Sequence, residues 1–147
     1  LTQNMRLWTF DTWGEDLMAL YRGGPVYRWD KSDGLAARMS VADSNIPTMN
    51  NSLAVTEEAR HMMLFGTSVF GGDFDPLAIR WSQSENYAVW SPAVTNAAGG
   101  FRLNSGSYIV SPLKLKKEIL AFTDEGVHAI IYKGGSPPFM KSYLTRK

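Results

Sequence analysis

The residues of this chain that could do chemistry are two histidines, a scatter of turn carboxylates and one short lysine stripe. His61 and His128 sit at alternating, β-like positions far apart in the chain. Either could serve as a base or a metal ligand. A lone His in a strand is more often packed or at the surface, and that reading is preferred. Asp73-Phe74-Asp75 could offer oxygen atoms to a calcium ion. It lacks the further spaced oxygens and terminal Glu of an EF-hand loop, so it reads as a solvated loop. Glu15, Asp16, Glu85, Asp124 and Glu125 could supply the paired carboxylates of a glycosidase. All five lie in or beside turns, where acids usually serve solvation and local hydrogen bonding. Lys114, Lys116 and Lys117 could face DNA phosphates. The plainer reading is a charged outer face that discourages edge pairing.

Other chemistries find no residues. The chain has no cysteine, which removes disulfides, thiolate metal sites and a Cys nucleophile. It has no HExxH, no Gly-x-Ser-x-Gly and no phosphate-cradling loop. Gly23-Gly24 and Gly99-Gly100 read as turn glycines, and Pro92 to Gly100 as a connector. Asn50-Asn51-Ser52 formally matches a glycosylation acceptor, without a secretory signal to support it. No cofactor and no metal are therefore expected, and no enzymatic activity.

The elements that must position these residues are short. Leu77 to Trp81 alternates apolar and polar residues, Gln83 to Asn86 is turn-prone, and Tyr87 to Trp90 is rich in β-formers. The stretch reads as a hairpin with one buried face. Similar β-prone runs recur at Leu7–Phe10, Asp16–Leu20, Val26–Asp30, Leu35–Val41, Ser52–Thr56 and Phe101–Leu103. They continue at Ser107–Leu115, Glu118–Phe122, Val127–Tyr132 and Phe139–Leu144, before a basic end at Arg146-Lys147. Breakers such as Arg22-Gly23-Gly24-Pro25 and Lys133-Gly134-Gly135-Ser136-Pro137-Pro138 separate them. Glu57 to Phe65 is ambiguous between helix and strand; strand is preferred because Gly66 stops it early.

The 147 residues suffice for one domain with a core. With 44% hydrophobic and 20% charged residues, the chain is neither disordered nor membrane-spanning. No apolar run reaches the ~18 residues of a spanning helix, so no membrane partner is expected. The start, Leu1-Thr2-Gln3-Asn4, is polar and lacks Met, which suggests processing or a piece of a longer chain. A formal charge of +1 makes no overall case for nucleic acid. Aromatics reach 12%, with five Trp, a density that suits β-cores or contact surfaces.

The plan repeats. Strand-turn-strand units at 16–30, 61–82 and 118–132 end near Trp29, Trp81 and Tyr132, at intervals of 52 and 51 residues. That is slightly above the roughly 40–50 residues of a propeller blade. With flanking strands, the repeats cover approximately 7–41, 52–91 and 101–144. The expectation is an all-β chain of about three four-stranded, β-propeller-like blades. The alternative is a β-sandwich with accidental spacing. Three blades do not close a ring of the typical ~4–8, so the expectation extends to a larger propeller or assembly. The structural or interface residues expected are Trp13, Trp29, Trp81, Trp90, Tyr132 and Phe139.

Trp13-Gly14-Glu15-Asp16-Leu17 with Arg22 to Asp30 resembles a segment of structural proteins of tailed-bacteriophage virions. So do Ile79 to Asn86 with Trp90-Ser91-Pro92, Thr95 to Gly99, Phe101-Arg102-Leu103 with Gly106-Ser107, and Glu118 to Asp124. The resemblance covers roughly residues 7–145. It implies a propeller-like tail component, similar to the nozzle and packaged-DNA stabilisation proteins that seal short tails. It also implies assembly in the host cytoplasm, virion or tail proteins and further copies of the chain as partners, and a non-specific contact with packaged DNA. Family members are usually much longer than this chain. Ser82-x-Ser84-x-Asn86 faintly resembles the Asp-box of sialidase blades, without its Asp and Gly. A propeller-type module that binds or cleaves glycans at the host surface is the alternative function.

Overall fold

Short β-prone runs between turn residues build the whole molecule. The computed structural model describes residues 6–146; Leu1–Asn4 and Lys147, read above as a polar start and a basic end, lie outside the described residues. Twelve strands form three four-stranded antiparallel sheets, each a meander in chain order. The first holds β1 (Trp8–Trp13), β2 (Asp16–Tyr21), β3 (Val26–Trp29) and β4 (Ser40–Val41). The second holds β5 (Asn50–Val55), β6 (Met62–Ser68), β7 (Phe74–Trp81) and β8 (Gly99–Arg102). The third holds β9 (Ile109–Lys114), β10 (Glu118–Thr123), β11 (Gly126–Tyr132) and β12 (Phe139–Arg146). Among the described residues the only helical element is one 3-10 turn, Lys31–Asp33. The fold is all-β, and its sheets are blade-like.

The sheets stack face to face. β1 and β2 lie against β5, and β5 and β6 lie against β9, so the first strands of the sheets converge on one axis. Two cores fill the gaps. Trp13, Met18, Leu20 and Val26 meet Leu53, Val55, Met62, Leu64 and Trp90 between the first and second sheets. Met63, Phe65, Leu77, Ile79 and Trp81 meet Ile109, Ile119, Ile130 and Phe139 between the second and third. The second sheet is therefore buried on both faces, and Met62, Met63, Leu64 and Phe65 are all fully buried. A strand covered on both sides loses the polar alternation of a half-exposed one. That is why 61–65 reads ambiguously as sequence. The Glu57 to Arg60 half of that segment is a loop, with Ala59 and Arg60 at positive φ.

Several expectations are corrected. The hairpin at 77–91 does not form: β7 pairs with β6 and with β8, while Tyr87–Trp90 is loop. Trp90 is not a strand residue but a buried plug, its Nε1 donating to Tyr87 O at 2.6 Å. Gly99 and Gly100 are not turn glycines; they begin β8, the outer strand of the second sheet. The third unit therefore starts at Ile109, not at 101, because 99–102 hydrogen-bonds to β7. Of Leu35–Val41, only Ser40–Val41 pairs.

Trp29 and Trp81 each close the third strand of a sheet, yet they are not equivalent. Trp29 pairs with Leu17 on the face opposite Met18 and Val26, so it points away from the second sheet. Trp81 points forward, into the third sheet's side. With a side-chain period of two, a one-residue offset sends the ring to the other face.

Candidate functional site

The axis is tied at both ends of β5. At one end the Gly23 N–H donates to Asn50 O at 2.7 Å, and Arg22 Nη2 reaches Ile109 O in β9 at 3.5 Å. Asn50 is fully buried, its amide spent on Pro47 O, Gly24 O and the Thr67 hydroxyl. It is therefore not open to glycosylation. At the other end Asp11 of β1 accepts the Val55 N–H at 2.8 Å and both its oxygens meet Lys114 Nζ at 3.0 Å. Lys114 also lies 3.3 Å from Glu57. One carboxylate thus joins the first strands of all three sheets.

This placement corrects the reading of the lysine stripe. Lys114 is engaged by Asp11 and Glu57 rather than free for phosphate. Burial alone would lower its pKa, but the hydrogen bond and charge of Asp11, helped by Glu57, hold it above the ordinary lysine value. Lys116 and Lys117 remain exposed. They share a recess with Glu57 and Glu58, so the local field is mixed. As sequence, Asp11-Thr12-Trp13-Gly14 reads as a turn, but Asp11 lies within β1, paired with Met18. Its only signal was an acid facing inward on a β-prone run, visible once the neighbouring strands are known.

The other carboxylates do not converge. Asp16 takes the Arg28 guanidinium at 2.8 Å, which with burial opposing it raises the Arg28 pKa. Glu15 pairs with Lys31, and Glu85 lies 3.6 Å from Arg60. Asp124 accepts the Ser107 and Tyr108 N–H groups, and these bonds hold it below the usual carboxylate range. Glu125 is exposed. Asp75 pairs with Arg102 at 2.7 Å, and no group of three His, Asp or Glu forms a metal set among the described residues. The Ser82–Asn86 stretch is a loop in which the Ser82 hydroxyl accepts the Met62 N–H and Ser84 donates to Ala59 O.

Both histidines are buried and neutral-favouring. Burial lowers the His61 pKa, opposed by the Ser82 carbonyl that accepts its Nδ1–H at 2.8 Å; its ring packs edge-on to Phe139. Burial, then the charge of Lys141, lowers His128. Its Nε2 lies 3.1 Å from the Ser105 hydroxyl, a pairing not anticipated from sequence. Among the described residues no carboxylate meets its Nδ1, so the orienting third member of a triad is missing.

The surfaces that remain unexplained are the outer faces of the end sheets. The open face of the first sheet carries Trp8, Phe10, Tyr21 and Tyr27, with Trp29 and Val41 toward its rim. Trp8 stacks with Phe10 and meets Tyr21 edge-on. Trp8 is 44% and Phe10 58% exposed, around a fully buried Ala19. The open face of the third sheet carries Leu113, Leu120, Phe122, Ile131 and Met140 around the buried Ala129. Of the expected interface residues, Trp13, Trp81, Trp90 and Phe139 are buried inside the two cores, and Tyr132 is partly buried against the second of them. Phe139 therefore does not await a partner: it packs on Trp81. Trp29 alone lies on an open face. The chain matches no family model and no curated protein sequence.

Proposed function

We propose that the chain is a structural component of a tailed-phage virion, a tail or tail-nozzle part that works by assembly rather than catalysis. The observation that carries the reading is the aromatic open face of the first sheet. Contiguous apolar patches of this kind mark interaction sites, and a solenoid-like array needs a polar outer face where it truly ends. The ordered segments that resemble phage virion proteins supply the biological context. The partners are copies of the chain, further blades or other tail proteins, seated on the two open faces. Any contact with packaged DNA falls to Lys116 and Lys117. The turn carboxylates are separately engaged or scattered, which favours assembly over glycan cleavage.

Light scattering and sedimentation of the 147-residue chain test the reading. Association or aggregation is expected, and Trp8→Ser with Phe10→Ser should suppress it without loss of β circular dichroism. A soluble monomer with a cooperative transition and protected termini would overturn the proposal and point to a self-contained binding module.

A further inference from the structure

Arg80 is a buried cation without a counter-ion. It is 9% exposed, and among the described residues it enters no ion pair. The one acid lining its groove, Asp75, is committed to Arg102. Two guanidinium N–H groups are spent on main-chain acceptors: Nη1 on Ser68 O at 3.2 Å and Nη2 on Trp90 O at 2.9 Å. Among the described residues the remaining donors of the fork have no protein acceptor. The rings of Phe70 and Trp90 stand 5.8 and 5.9 Å from its Cζ and offset part of the desolvation. An uncompensated buried charge is costly, and an anion is what would relieve it.

The guanidinium lines a groove of about 250 Å³ on the rim of the second sheet. Ala78, Arg80, Gly100 and Arg102 share its floor, since Ala78 pairs with Arg102 and Arg80 with Gly100. Val69 and Phe70, from the β6–β7 loop, form its wall, and the Phe70 ring is 63% exposed. A Cβ at Gly100 would lie 2.8 Å from Ile79 O and 2.9 Å from Arg80 Cγ. The floor beside the cation is thus bare backbone on an edge strand, where Gly100 offers main-chain groups to hydroxyls while the Arg102 carbonyl is taken by Lys141 Nζ.

We propose that this groove binds a carboxylate-bearing saccharide ring. The planar carboxylate takes the guanidinium fork of Arg80, the C–H face of the ring lies on Phe70, and its hydroxyls meet the β8 edge. The groove is small against the usual several hundred Å³ of a ligand site, which fits one sugar ring rather than a long chain. It lies on the rim, away from the open end faces, so the inference does not depend on how the array assembles.

Ligand-observed saturation-transfer NMR on the whole chain tests it in any oligomeric state. Glucuronic acid should bind saturably, and glucose at least about tenfold more weakly, the loss of one charge-assisted pair. Phe70→Ala, at an exposed loop side chain, and Arg80→Lys, which keeps the charge but not the fork, should each weaken glucuronate about tenfold. Equal binding of glucose and glucuronate, binding unchanged in Phe70→Ala, or no binding at all would overturn the proposal. So would full displacement by sulfate at equal affinity, which would mark a bare anion hole. Tighter binding of a short acidic peptide would do the same, moving the groove to a protein partner.

Discussion

At the scale of single residues, Asp11 holds the most. It is 14% exposed as a side chain, bears half-buried Lys114 and caps a main-chain N–H of β5. Asp11→Asn should destabilise the fold by about 1.5–3 kcal/mol, the range for hydrogen bonds to charged groups, read as a shift of the urea midpoint. The Lys114 pKa is raised on folding, so its contribution is full below the ordinary value of 10.5 and is lost as pH rises past the folded value. Asp11→Asn should remove that alkaline loss. The histidines act with the opposite sign. His61 and His128 have folded pKa values lowered from 6.5, chiefly by burial, so the unfolded chain takes up protons first. Stability should fall as pH drops below about 6.5, by up to about 1.4 kcal/mol per histidine per pH unit. Urea midpoints at pH 7.5 and 5.5 measure this, and identical midpoints would refute it.

At the scale of elements, the two tryptophans separate what a sequence shows from what it hides. Trp81 is buried between two sheets and donates to Ala97 O at 2.8 Å. Trp81→Ala should cost about 3–5 kcal/mol. Trp29 is half-buried on an open face and donates to Gly34 O at 3.2 Å. Trp29→Ala should cost about 1 kcal/mol or less, the typical centre for point variants. Thermal melts of the two variants decide the matter; equal losses would restore the equivalence that their 52-residue spacing suggests. The strands were legible because β-formers between Gly, Pro and Asn breakers mark them locally. Their faces were not, because one residue of register inverts a strand and nothing local reports it. The start of the outer strand β8, before Phe101, was hidden for a related reason. Gly99 and Gly100 look like a turn, yet Trp81 and the Ile79 carbonyl press so close that only glycine fits between them. The sites fared less well than the strands: Asp11, Ser105 and Arg80 draw their roles from partners 44, 23 and 10 residues away.

At the scale of the whole molecule, the sheets are unequal in what shields them. The second sheet has a neighbour on each face, while the first and third have one each. In a stacked array, stability is close to a sum of each repeat and its interfaces. Local opening then follows the number of interfaces lost. Amides of β6 and β7 should therefore exchange slowest in the isolated chain, with β1 to β3 and β10 to β12 exchanging at least about tenfold faster, a gap of about 1.4 kcal/mol. Assembly should close that gap from both ends, because a partner on the Trp8–Phe10 face or on the Leu113–Met140 face gives the end sheets the second interface they lack. Hydrogen exchange by mass spectrometry, at a dilution that favours the monomer and again in the associated state, measures both. Uniform protection across the three sheets at high dilution would mean that the end sheets are stable without cover, and the open faces would then lose their claim to be assembly surfaces.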